Sequence, residues 1–369
     1  MVVGGMGASM ATRLAGLSLW QRCLALAIVA AGMLMLSSFT LQPMPPATGA
    51  APGAAGQGDL ASYQRIIEMM RAGEGYYRAA HEVLVADGYG TRSVFNWRTP
   101  AWPMLLAALP PGWGQGVLAA VALAGLLLAY AVARRDGGLA PALLVLVGVG
   151  GSLGGLASPE SVVFSEPAAG TLILFSIAAY GMGWRAAGVA AALAALFLRE
   201  LAAPCVVVAA LLALRERRWG EVGAFLVGGL AYAGYFGWHW SCVMQQLGPA
   251  DRDYAEGWLQ FGGLRFLVSA AGFNGLWSLA PHWLPAVLVP LGVLGLWAWR
   301  GGMLALVTVA AFLLLFAVVG KPFNYYWGAL FTPLLMLGAA WGLYALAETI
   351  RMGAADGQAH VEDTGSGAG

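Results

Sequence analysis

Charge is what this sequence has little of. Asp, Glu, Lys and Arg make up 10% of its 369 residues, against about 25% in an ordinary soluble domain. Lysine occurs once, at Lys321. A formal net charge of +1 without any basic tract argues against a nucleic-acid partner. Cysteine is also sparse. Cys23, Cys205 and Cys242 sit in or beside apolar runs without metal-ligand spacing, which suits small packing residues. His81, His239 and His282 show no mutual spacing of a metal site, and Asp251-Arg252-Asp253 is a short Asp-x-Asp match of a kind that arises by chance. Nucleophile elbows, phosphate-binding glycine loops, redox pairs and internal repeats are absent. No cofactor is expected and no metal-ligand set is read from the sequence, which leaves metal dependence open.

Apolar residues dominate instead, at 60% of the chain with a mean hydropathy of +0.72. Runs of about 20 apolar residues recur, each long enough to cross about 30 Å of hydrocarbon. The expected fold is an all-α polytopic membrane protein. Its ten or so transmembrane helices fall near 23–41, 116–133, 140–157, 167–182, 186–199, 202–214, 222–241, 283–299, 302–319 and 325–347. Residues 1–20 read as frayed. The small residues Ala47 to Ala55 raise a cleaved signal peptide as the competing reading of the first run. Its apolar core exceeds the usual 7–15 residues or so, which favours an uncleaved span. Residues 1–350 form one expected bundle with a first outer loop over 42–103, and 351–369 a disordered cytoplasmic tail.

Arginine in short turns orients such a bundle. Arg22, Arg134, Arg135, Arg185, Arg215, Arg217, Arg218, Arg300 and Arg351 all fall on one side. This predicts a plasma-membrane protein with both termini cytoplasmic and the first loop outside.

That loop is the long polar interruption in the chain. It gathers Asp59, Arg65, Glu68, Arg71, Glu74, Arg78, Glu82, Asp87, Arg92 and Arg98, together with His81. Leu60, Tyr63, Ile66, Ile67 and Met70 make one helical stripe with Arg65, Glu68 and Arg71 opposite, which predicts an amphipathic interfacial helix ended by Gly73 and Gly75. Later outer turns add Ser165-Glu166-Pro167, Arg199-Glu200 and the segment from Lys321 to Trp327.

With these pieces in place the sequence resembles the GT-C superfamily of integral membrane glycosyltransferases. The likeness lies in Gly58-Asp59-Leu60 opening the first outer loop, Gly75-Tyr76-Tyr77, Asn96-Trp97-Arg98-Thr99-Pro100 before the next apolar segment, and the turn from Lys321 to Pro333. The dolichyl-phosphate-mannose, polyprenyl-phosphate-arabinose and family-eighty-seven types all remain open. The resemblance implies an inverting transfer of a sugar from a polyprenyl-phosphate donor to a glycan, lipid or protein acceptor on the outer face. Many members carry a soluble outer domain after the last span. Here a short tail follows, so loops or a partner are expected to hold the acceptor.

A carboxylate must take the acceptor's proton and cations must hold the leaving phosphate. Asp59 is the candidate base, and Glu166 a second catalytic candidate that orients the acceptor or acts with Asp59. Arg199 and Lys321 are candidates for the donor phosphate. Tyr76, Tyr77, Trp97, Tyr325 and Tyr326 are candidates for stacking on sugar. Each has a plainer reading: Asp59 as a helix cap, Glu166 as a complement to a helix dipole, Arg199 as a residue ahead of the next span, Lys321 as a snorkelling residue and the aromatics as an interfacial belt. A transporter or flippase, or a non-catalytic membrane assembly protein, is the alternative function.

Overall fold

The computed structural model describes residues 12–40, 58–158, 160–249, 251–253, 261–320 and 322–365, with side chains described only as far as Met352. Among the described residues the fold is α-helical without a named strand. The first loop and its flanks supply α1 (Leu19–Thr40), α2 (Asp59–Arg71), α3 (Tyr76–Ala86) and α4 (Ala101–Ala108). The middle of the chain forms α5 (Trp113–Gly137), α6 (Leu139–Leu153), α7 (Ser165–Gly181), α8 (Arg185–Leu198), α9 (Ala203–Arg215) and α10 (Trp219–Gln246). The last third forms α11 (Gly263–Gly272), α12 (Leu284–Ala298), α13 (Met303–Val318) and α14 (Thr332–Gly365).

Each apolar segment read from the sequence falls on a helix. The stretches Leu19–Thr40, Trp113–Gly137, Leu139–Leu156 and Thr332–Met352 are long and apolar enough to cross a bilayer, and α8, α11, α12 and α13 are shorter apolar helices. The protein is an all-α membrane protein. Helix α11 was not expected, because a ten-residue apolar piece is too short to register as a span.

The amphipathic helix is present as α2. Its stripe is buried against protein, with Ile66 packing beside Tyr76 and Ala80 of α3 and Ile67 beside Trp102 and Leu106 of α4. Gly73 closes α2 at φ 102°, where its amide and that of Glu74 reach back to Met70 and Met69. This left-handed step favours glycine.

Two expectations change at the chain ends. Residues 12–18 are not frayed: the Arg13 amide donates to the Ala298 carbonyl at 2.8 Å, and its guanidinium donates to the carbonyls of Trp297 (2.6 Å) and Arg300 (3.0 Å). The last carbonyls of a helix lack intrahelical donors, and a cation there also complements the helix dipole. Leu14 and Ala15 are buried beneath this contact. At the other end α14 runs to Gly365, through most of the segment expected to lack structure. Extending a helix adds one hydrogen bond per residue fixed, whereas starting one is costly.

Length explains where the polar residues go. Helices α8 and α9 form a hairpin whose open ends carry Arg185 and Arg215 and whose tip carries Arg199-Glu200. Fourteen residues of α8 rise only about 21 Å, short of the thickness of the hydrocarbon core. The tip therefore ends inside the protein, where Arg199 leaves the helix in an extended conformation (φ −153°, ψ 118°). Helix α7 begins at a similar depth with Ser165 and Glu166 and is buried along most of its length against α5, α8 and the 3-10 segment Pro322–Leu330.

Close backbone contact makes this packing possible. A Cβ on Gly295 of α12 would stand 1.8 Å from the Gly338 carbonyl oxygen of α14, the small-residue contact typical of membrane helix pairs. On α7 a Cβ at Gly170 would stand 2.0 Å from the Ala329 carbonyl oxygen. Gly170→Ala should therefore cost about 1–3 kcal/mol, because backbone must move to admit the methyl. The expected signature is a lower unfolding midpoint for the purified protein. An unchanged midpoint would show that α7 and the 322–330 segment are not in register contact.

Candidate active site

Five separate parts of the chain meet at the tip of the α8–α9 hairpin. Asp59 is the first residue of α2, with Gly58 at the cap position and no side-chain cap bond. It is thus not acting as the cap. Its Oδ1 accepts from the Tyr89 hydroxyl at 2.5 Å and its Oδ2 from the Tyr326 hydroxyl at 2.7 Å. The Tyr326 oxygen in turn accepts from Arg98 Nη2 at 2.7 Å and from Asn324 at 3.3 Å. Arg98 Nη1 lies 3.0 Å from Glu166 Oε1, and Arg199 Nε lies 2.9 Å from the same oxygen. Arg199 also pairs with Glu200 through Nη1. The result is one connected path from Tyr89 through Asp59, Tyr326, Arg98, Glu166 and Arg199 to Glu200.

The path is dry. Glu166 is fully buried and Arg199 is 1% exposed, while Arg98 retains 12%. The Arg98 guanidinium sits over the rings of Tyr63 (5.1 Å) and Tyr326 (5.7 Å). Burial alone would lower its pKa, but Glu166, followed by Tyr326, Tyr63 and Asp59, holds it well above the ordinary value. Burial, with Asp59 adding to it, raises the pKa values of the Tyr89 and Tyr326 phenols, so both stay protonated and donate to Asp59.

The charges are unevenly shared. Glu166 is claimed by two guanidiniums and Glu200 by one. Asp59 makes no ion pair among the described residues and is held by neutral phenols. Among the described residues three carboxylates stand against two guanidiniums, and the carboxylate that neither guanidinium pairs with is Asp59.

The other candidates separate. Tyr326 joins the network directly. Tyr76 is buried and donates to the Arg98 carbonyl, which fixes the Arg98 backbone. Tyr77 bonds His239 of α10 at 3.0 Å and tethers α3 there. Trp97 belongs to the core of the loop: its indole N–H donates to the Thr91 carbonyl at 2.8 Å and its ring stacks on His81 at 5.8 Å. Such a fully buried ring offers no open platform to a sugar. Tyr325 is 45% exposed and lines a cavity of about 520 Å³ with Arg265 and His282. Lys321 lies outside the described residues. Arg98, Tyr89 and Glu200 were not singled out as site residues. Arg98 stood within the Asn96-to-Pro100 motif, just ahead of α4, and that position was the available signal.

The space directly beside Arg98 is narrow, a crevice of about 10 Å³ lined by Tyr63, Tyr76, Arg98 and Ser165. A second cavity, of about 240 Å³, is lined by Ser152, Ser161, Thr171 and Thr332.

A clasp closes the first loop over this region. Asp251 accepts from Thr91, from the Gly248 amide at 2.6 Å and from His81 at 2.8 Å. Burial acts to raise its pKa, but these bonds prevail and hold it below the ordinary carboxylate value. A depressed carboxylate contributes stability above its unfolded pKa, about 3.9, and loses it as pH falls through the folded value. The clasp should thus stay closed down to about pH 4 and open below it. Hydrogen exchange of residues 89–92 checks this, and Asp251→Asn should flatten the pH dependence. Equal protection at pH 3 and pH 7 would contradict it.

No family model matches the chain, and no curated protein matches it. One solved structure is similar. It is the crystal structure of ArnT from Cupriavidus metallidurans in the apo state, with 17% identity and a TM-score of 0.43. The match covers 87% of this chain and 59% of that one, so this chain spans about three fifths of that protein's length.

Proposed function

We propose that the protein is a membrane glycosyltransferase, in which Asp59 removes the proton from an acceptor hydroxyl while a polyprenyl-phosphate sugar donor is cleaved at the outer face. The observation that carries this is the distribution of charge. A carboxylate base needs to reach the proton it removes, and a nearby cation lowers its basicity; among the described residues Asp59 is the one carboxylate of the cluster without a cation partner.

In an inverting step the acceptor oxygen bonds to the anomeric carbon as the bond from that carbon to the phosphate oxygen breaks. The phosphate departs with the electron pair and the hydroxyl proton passes to Asp59. The buried Arg199–Glu166 pair then serves as a positioning unit. Arg98, which lines the crevice, is better placed than Arg199 to meet the developing phosphate charge. The cavity beside Tyr325 offers room for the sugar or the acceptor. Lys321 remains a proposed phosphate ligand on its sequence position alone.

One feature favours a second reading. Short helices meeting at a buried charged tip, as α8 and α9 do at Arg199, are also a transporter device. A transfer assay separates the two. Membranes carrying the wild type or the Asp59→Asn and Asp59→Ala variants are supplied with polyprenyl-phosphate sugars and scored for glycosylated product. Full transfer by both variants removes Asp59 as base. Movement of substrate across sealed vesicles without any product favours transport.

A further inference from the structure

The opposite end of the bundle holds a second charged site that the proposed reaction does not use. From Glu166 down α7 to Tyr180 is a rise of about 21 Å. There a cavity of about 570 Å³ is lined by Arg13, Arg135, Arg185, Arg215 and Arg218. Its size is within the range of about 300–1,000 Å³ that holds an organic ligand.

Three carboxylates stand against these five guanidiniums, and they are committed. Asp136 takes Arg135 at 2.7 Å and the Trp299 indole N–H at 2.9 Å. Glu221 takes Arg218, the Tyr180 hydroxyl at 3.0 Å and Arg185 at 3.7 Å. Glu216 takes Arg218 at 3.0 Å. The excess is two positive charges. Arg13 spends its donors on backbone carbonyls, which leaves its charge uncancelled, and Arg215 is exposed without an ion pair among the described residues. Arg217 adds a further cation at the same turn in the left-handed conformation (φ 56°), which residues other than glycine rarely adopt.

The remaining wall is apolar, formed by Ile177, Ala209, Leu212 and Leu304. Beside it α9 packs on α13, and Leu211, Leu214, Met303 and Val307 of these helices are exposed. A cationic floor continuous with an apolar flank matches a ligand with an anionic head and a hydrocarbon tail. A free phosphate or a nucleotide would leave the flank unused.

We propose that this cavity binds the phosphate head group of an anionic phospholipid, whose acyl chains lie along α9 and α13. Such a lipid would brace the α7, α8, α9 and α12 ends against one another, independently of any chemistry at Asp59.

The test uses the full chain purified in a neutral detergent. Binding of palmitoyl-oleoyl phosphatidylglycerol and of the matching phosphatidylcholine is read by native mass spectrometry and by the shift in Tm. Phosphatidylglycerol should bind at least tenfold more tightly and raise Tm. Arg215→Gln and Arg185→Gln, both at exposed positions, should each weaken it about fivefold, from about 1 kcal/mol per surface arginine. Arg78→Gln at the other end should leave it unchanged. Inorganic phosphate and glycerol phosphate should not displace the lipid at millimolar concentration. Equal binding of the two lipids, or arginine variants that bind as the wild type does, would overturn the proposal. Displacement by phosphate would also overturn it, because the site would then be one for free anions.

Discussion

Asp59→Asn should lower sugar transfer by about 10²–10⁴-fold, the usual contribution of a positioned general base, with little change in stability. The asymmetry follows from the surroundings of Asp59. The side chain is half-buried and bonded to two phenols, and an asparagine carbonyl still accepts one of those bonds. Among the described residues no cation is left unpaired, because none of them pairs with Asp59. Turnover at saturating donor, measured beside the unfolding midpoint, checks both halves. A variant that loses activity and stability together would make Asp59 a structural residue.

Glu166→Gln should do the reverse and destabilise the protein by about 3–5 kcal/mol. Glu166 is fully buried between Arg98 and Arg199, and removing one partner of a buried pair leaves the other charge uncompensated where water cannot reach it. Arg199 keeps Glu200, so Arg98 bears most of the loss. Arg199→Gln should also destabilise, and Glu166→Gln/Arg199→Gln should cost less than the two single changes summed, since neighbours in one network are not additive. Denaturant unfolding of the purified protein measures this cycle. A cost for Glu166→Gln below about 0.5 kcal/mol, the range of an ordinary surface change, would mean that the pair is solvated.

These two predictions show which parts of the site were visible along the chain. Glu166 and Arg199 stand out as ionisable groups at the ends of apolar segments and Asp59 through the resemblance, and all three lie on one network. Trp97, within the Asn96-to-Pro100 motif, reads from the sequence as a candidate for stacking on sugar. Its burial follows from the packing of His81 on its ring and from a hydrogen bond within the loop. Neither leaves a periodic trace. Arg98 is one of ten charges in a polar loop, set apart from Arg92 only by its place in the Asn96-to-Pro100 motif, whereas the Nε of Arg92 donates to the Asp251 carbonyl at 3.0 Å. Tyr326 was read as a sugar contact, yet its hydroxyl donates to Asp59 across 267 positions of chain.

The sequence by itself determined the all-helical membrane fold, the positions of most helices and the gathering of arginines at one end. These rest on apolar run length and on charge in turns, which are local properties set by the thickness of a bilayer. Tertiary structure alone decided which carboxylates the two buried arginines pair with. That depends on the shortness of the α8–α9 hairpin, which buries Arg199 at the depth of Glu166, and on glycine contacts that bring residues 322–330 onto α7. Asp59, first noticed as one acid in the densest polar stretch, is set apart by what the buried arginines pair with instead.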